Sequence, residues 1–180
     1  MATGRVIPLH ARGEVPEVDP SNLTEVVRAY RGYVAAVVMR LLGRDDDVDD
    51  VVQDTFVRAL DGLPRLEDKT RLKAYLASIA VRLTMRRLGR RRLLQRFGLS
   101  ERWHPTLLST PGASGEQRAM LADVYRVLDG CAPEARVAWT LRYLEGERLE
   151  DVAALMGLSL ATVKRRIAAV DAQVQEAHRE

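Results

Sequence analysis

The chain has 180 residues, 47% hydrophobic and 29% charged, so it can form one domain or two small ones that bury a core yet stay in solution. A single cysteine, Cys131, excludes an internal disulfide and fits a reducing compartment, and no apolar run approaches the ~20 residues needed to span a bilayer. The net charge of +3 hides a segregation, with aspartates crowded between Asp45 and Asp54 and arginines between Arg82 and Arg96. That pattern suggests oppositely charged partners at two different places.

Taken in order, residues 1–22 hold three prolines and scattered charge without the apolar core of a signal peptide, and are expected to be a flexible arm to which no chemistry attaches. From Leu23 to about Leu42 the apolar residues Val26, Val27, Tyr30, Val34, Val37, Val38, Leu41 and Leu42 recur at helical spacing, and Gly43 ends the helix. A second helix begins after Asp47, with Val48, Val51, Val52, Thr55, Phe56, Ala59 and Leu60 as its buried stripe and Gly62 and Pro64 as its stop. Asp47 is expected to cap it, Asp49 and Asp50 to favour its dipole, and Asp45 and Asp46 to be a solvated approach. Leu63 to Thr70 reads as a polar loop, and a third helix runs from about Arg71 to Leu88 or beyond, with Leu72, Leu76, Ile79 and Leu83 inward.

Residues 96–115 are rich in Gly, Pro, Ser and Thr and read as a linker, although Trp103, Leu107 and Leu108 could dock on something. Four helical patterns follow: Glu116 to Leu128, Pro133 to Leu144, Leu149 to Met156, and Leu160 to about Ala177. No strand and no repeat is evident. The expected fold is therefore all-α, with two small helical bundles, 23–95 and 116–180, joined by a flexible linker.

The second bundle contains a helix-turn-helix pattern in LEDVAALMGLSLATVKRRI, Leu149 to Ile167. Gly157 can take the left-handed conformation that closes the first helix, and Ser159 can cap the second. Val152, Ala153, Leu158, Val163 and Ile167 fall where crossed helices meet. Ala161, Thr162, Lys164, Arg165 and Arg166 face outward, the short polar and cationic groups that a helix in the major groove needs. In the first bundle, Tyr75, Ser78, Arg82 and Arg86 are spaced to share one face of the third helix, an arrangement able to hold phosphates and stack an unpaired base. Solvated basic helix faces are the plainer alternative at both places.

These stretches together resemble a bacterial RNA polymerase sigma factor of the extracytoplasmic-function type. VDDVVQDTFVRAL, Val48 to Leu60, looks like the family's second conserved region; RLKAYLASIAVRLTMRRLGRRR, Arg71 to Arg92, like its promoter-melting helix; and Ala132 to Val170 like its fourth region. The resemblance implies two partners, core RNA polymerase and promoter DNA, the latter both as duplex and as melted non-template strand. It makes an anti-sigma partner plausible, needs no cofactor or metal, and implies neither catalysis nor membrane insertion, with work done in the cytoplasm. Carried over by position, it puts polymerase binding on Asp50, Gln53 and Asp54. Downstream-promoter DNA falls to Lys73, Tyr75, Arg82, Arg86, Arg87 and Arg90, with a flipped base held by the loop Leu63 to Thr70. Upstream-promoter DNA falls to Ser159, Thr162, Lys164, Arg165 and Arg166. Two departures stand out: Tyr75 occupies a place where members often have Trp, and Val81-Arg82 and Arg86 replace the usual Arg-Asn and Asp. A conventional helix-turn-helix regulator and a sigma-like accessory that does not melt DNA remain alternatives. An enzyme built on the aspartates lacks supporting ligands or a nucleophile–base pair, since His10, His104 and His178 are scattered through expected arm, linker and terminus.

Overall fold

A computed structural model describes residues 18–43, 46–99 and 114–177, and every described element is helical. Most of the expected arm and linker, with Trp103, Leu107, Leu108 and all three histidines, therefore lies outside the described residues, as does Asp45. Helix α1 spans Leu23–Leu42, with Asn22 accepting from the Glu25 amide at its start and Gly43 at φ 67° at its end. Helix α2 spans Val48–Ala59 and α3 spans Leu72–Arg96, joined by single 3-10 turns at Leu63–Arg65 and Lys69–Arg71. Asp68 accepts from the Thr70 amide at 3.0 Å and so fixes the second turn.

The C-terminal half has α4 over Gly115–Gly130, α5 over Pro133–Trp139, α6 over Leu149–Met156 and α7 over Leu160–Ala177. Pro133 occupies the first turn of α5, where a missing N–H costs nothing. The helix expected to continue to Leu144 instead widens into a π-turn at Thr140–Leu144, closed by the Glu145 amide on the Thr140 carbonyl at 3.0 Å. Downstream of this turn, Glu145 and Glu147 are each only 1% exposed, so it delivers two carboxylates to the interior.

Two other expectations change. Asp47 stands at the N-cap position of α2 but makes no capping bond; its carboxylate is taken instead by Arg87 and Arg91 of α3. Two guanidiniums outcompete one backbone amide for a carboxylate. Leu60 was expected in the buried stripe of α2, but it lies just past the end of the helix and is 43% exposed.

The core is continuous across both halves, from Val26 of α1 to Val170 of α7. Helix α3 makes it so. Leu72, Leu76, Ile79 and Leu83 are buried, as their spacing predicts, and α3 packs on α1 and α2, but Ala77, Ala80, Val81 and Thr84 are buried as well. Helices α5 and α6 pack on α3 from the other side. A helix apolar on both sides is one shared by two layers.

Candidate nucleic-acid and polymerase interface

The helix-turn-helix closes as its residues require. After Met156, Gly157 takes φ 67°, the Leu158 amide reaches back to the Ala153 carbonyl at 3.0 Å, and the Gly157 amide to that of Ala154 at 3.2 Å. This is the paired bonding that satisfies orphan carbonyls at a helix end. Ser159 Oγ accepts from the Thr162 amide at 3.2 Å and lies 2.9 Å from Thr162 Oγ1, capping α7. Val152, Val163 and Ile167 are buried between the crossed helices, with Ala153 and Leu158 half-buried beside them. Ala161, Lys164 and Arg165 are exposed, Thr162 and Arg166 half-buried. The exposed cations Lys164 and Arg165 stand little more than one turn beyond Leu160, the first residue of α7, so α7 offers hydroxyls first and charge after. A carboxylate, Asp171, holds the helix to its neighbour by accepting from Trp139 Nε1 at 2.9 Å and Tyr143 Oη at 3.3 Å.

On α3 the expected face is only partly assembled as its spacing suggests. Tyr75, Arg82 and Arg86 line one wall of a cleft of about 910 Å³. Sequence reasoning missed Arg58 of α2, exposed on the same wall; its position one turn after Asp54 was the available signal. Ser78 stands beside the wall, its Oγ accepting from Arg82 Nη2 at 3.2 Å. Tyr75 is half-buried and anchored: its hydroxyl donates to the Ala59 carbonyl at 3.4 Å, in a notch that exists because residue 62 is glycine. A Cβ at Gly62 would lie 2.0 Å from Tyr75 Oη. Lys73 is elsewhere, 4.9 Å over the Tyr33 ring on the opposite side of the helix, where burial lowers its pKa against the pull of Glu147. Arg90 is exposed. Arg87 turns away from the cleft to bond Asp47 and, at 3.1 Å, Asp50.

That ion-pair knot sets the electrostatics of the α2 N-terminus. Burial pushes the Asp47 carboxyl up, but the Arg87 hydrogen bond and the charges of Arg91 and Arg87 outweigh it, leaving the group below its ordinary range. Asp50, Gln53 and Asp54 are all exposed on α2, yet they do not form one uniform patch. Asp50 and Asp54 continue toward Arg58 on the side facing α3. Gln53 lines a groove of about 380 Å³ whose apolar residues are Leu23, Val27, Val52, Phe56, Val57 and Leu60, with the Arg31–Asp49 ion pair also in its lining. Val57 is 58% exposed, and its place on the polar side of α2 was the signal for this groove.

Among the described residues no helix is long and apolar enough to cross a membrane. Residues 26–93 match the family description Sigma-70 region 2, and residues 121–169 match Sigma-70, region 4. The chain is 29% identical over 145 residues to the ECF RNA polymerase sigma factor SigE of Mycolicibacterium smegmatis, covering 79% of this chain and 56% of that relative, so it spans little more than half of that protein's length. It is also 29% identical over 177 residues to the ECF RNA polymerase sigma-E factor of Escherichia coli strain K12, covering 89% of this chain and 91% of the relative. In fold it is similar to the sigma factor RpoE from Bartonella quintana, solved in complex with the anti-sigma factor NepR, with a TM-score of 0.61, 24% identity, and coverage of 88% of this chain and 98% of that one.

Proposed function

Because the chain belongs to the extracytoplasmic-function sigma factors of the sigma-70 family, which direct RNA polymerase to promoters, start transcription and do no bond chemistry, we propose a specific division of that work among its own residues. Residues 23–95 form the polymerase- and downstream-DNA-binding unit, 116–180 the upstream-DNA-binding unit, and 96–115 the connection between them.

The observation that carries the polymerase site is the apolar groove beside Gln53. A basic amphipathic helix of the polymerase clamp seats its apolar residues between Leu23, Val27, Val57 and Leu60, and its cations meet Gln53, Asp50 and Asp54. Apolar area supplies affinity there, and the acids supply register and encounter rate. Asp50 enters already shared with Arg87, so Asp54 is the freer of the two carboxylates for an incoming cation.

Downstream DNA takes the α3 wall. Arg58, Arg82 and Arg86 bind phosphates, Tyr75 stacks or orients an unpaired base, and the loop Leu63 to Thr70 receives a flipped one. Flipping costs a few kcal/mol, and aromatic stacking returns ~1–3 kcal/mol per base. Arg90 extends the phosphate track. Lys73 and Arg87, which face elsewhere, act at most after a rearrangement. Upstream duplex DNA takes α7, with Ser159 and Thr162 at the phosphates and base edges nearest its start, and Lys164, Arg165 and Arg166 along the groove. Two modest sites at fixed spacing then give a specificity neither needs alone. The work is cytoplasmic, where the polymerase and its promoters are. By likeness to the Bartonella quintana protein's complex, an anti-sigma factor is a further partner.

Core-polymerase affinity of variants tests the groove. Val57→Asp, which puts a charge in the apolar seat, is expected to weaken binding at least tenfold, and Asp50→Lys with Asp54→Lys to do the same, each with an unchanged melting temperature. Unaltered affinity in both would refute the assignment.

A further inference from the structure

Of the 28 lysines and arginines in the chain, only Lys69, Lys73 and Lys164 are lysine. Two of them meet solvent: Lys164 is exposed on α7, and Lys69 is about half-exposed and pairs with Asp19 at 3.7 Å. Lys73 differs. It is half-buried on α3, its ammonium 4.9 Å over the Tyr33 ring, and it lines a second cavity of about 410 Å³ between α1, α3 and α6. An arginine there could not offer the same chemistry, because only the ε-amine can shed its proton and become a nucleophile.

The surroundings favour that loss. Burial disfavours the ammonium and lowers the Lys73 pKa below the ordinary 10.5, while the charge of Glu147 opposes the shift. An ordinary lysine holds roughly one neutral amine in a thousand near neutral pH, so any downward shift multiplies the reactive fraction. The titratable groups that share this cavity are Tyr33 from α1, Glu147 and Arg148 from the segment before α6, and Asp151 from α6. Tyr33 stays a neutral phenol, since burial pushes its pKa up. Ala74, Ala77 and Leu155 give the cavity a small apolar surface that suits a short acyl chain. Arg148, 79% exposed, offers a guanidinium to a phosphate on the solvent side.

We propose that Lys73 is an acylation site, and that the cavity seats a small acyl phosphate as the donor. The neutral Nζ adds to the carbonyl carbon, the bond from that carbon to the phosphate oxygen breaks, inorganic phosphate leaves, and the nitrogen gives up a proton to water. No further reactant is needed. The two carboxylates of the lining offset its two cations, so affinity for the donor is modest and the gain lies in reactivity at Nζ. The product is a neutral amide: Tyr33 loses the cation over its ring, and Glu147 loses a facing positive charge. The wall of Tyr75, Arg82 and Arg86 lies on the other side of α3 and keeps its charge, so the modification stands apart from the DNA binding proposed for that wall.

The test incubates the full chain with acetyl phosphate near neutral pH and follows acetylation by mass spectrometry. Cleavage after arginine puts the three lysines in separate peptides, 66–71, 72–82 and 149–165. Lys73 is expected to react about fivefold faster than Lys69 and Lys164. In concentrated urea the three rates are expected to converge, because the fold sets the difference. Arg148→Gln, a surface change with an unchanged melting temperature, should slow Lys73 about threefold and leave the other two alone, and excess inorganic phosphate should do the same by competing for the seat. Equal or slower reaction at Lys73 in the folded chain would overturn the site. A preference for Lys73 that survives urea would belong to local sequence and would overturn it as well. A Lys73 rate indifferent to both Arg148→Gln and phosphate would overturn the seat, and with it the acyl phosphate as donor.

Discussion

At the scale of single residues, the two contacts with the sharpest consequences are the Gly62 notch and the Asp47 knot. Gly62 has φ −103°, which any residue adopts, so its requirement is space and not backbone conformation. Gly62→Ala should destabilise by ~1–3 kcal/mol through overpacking against Tyr75. Tyr75→Phe in the same chain should recover most of this, because the atom that collides is the hydroxyl oxygen. Denaturant melts of the single and double variants check it, and additive effects would contradict it. Asp47 gives a pH signature. Its folded-state value lies below the ordinary 3.8, so the stabilisation is present above that value and is lost as the pH falls through the lower folded one. Asp47→Asn should therefore cost ~1–3 kcal/mol near neutral pH, and the gap from the native chain should close in acid. A constant gap across the titration would remove the ionic explanation.

At the scale of elements, much was legible in the sequence and the exceptions share a cause. Helix boundaries set by local chemistry came through: Gly43 and Gly157 closing helices in the left-handed region, Pro133 opening α5, Ser159 capping α7. Each depends on residues within one turn. What failed to show depends on residues far away in the chain. Asp47 looked like a cap because the arginines that claim it lie 40 and 44 positions on. Arg87 looked like a neighbour of Arg86 because both belong to one arginine run, yet successive helical positions point about 100° apart, and Arg87 faces α2. The second buried side of α3, through Ala77 and Val81, was hidden because small residues are equally at home exposed or in a close helix contact. The Ser159 cap can be tested at this scale. Ser159→Ala should lower stability by ~1 kcal/mol and weaken upstream-duplex binding, while single-strand binding by α3 is unaffected; equal loss at both would mean the cap acts on the whole fold.

At the scale of the whole molecule, the arrangement explains how a protein without catalytic groups can drive a reaction. On the division proposed above, binding energy is distributed over three surfaces: the α1–α2 groove, the α3 wall and the α7 face. The α3 wall shares its cleft with Pro133, Glu134, Met156 and Leu158 of the C-terminal half. The basic surfaces also predict salt sensitivity. Duplex affinity of the holoenzyme should fall steeply with rising salt as counterions displaced from phosphates become harder to release, and Arg165→Ala should make that dependence shallower, whereas Tyr75→Ala should instead slow opening. The measurement that tests the account most directly is run-off transcription from a library of genomic fragments, using purified core polymerase with and without the chain. Discrete transcripts that appear only with the chain, and vanish in the Asp50→Lys, Asp54→Lys variant, are the predicted result. Specific binding of duplex DNA by the chain alone, with no transcript from any fragment, would contradict it.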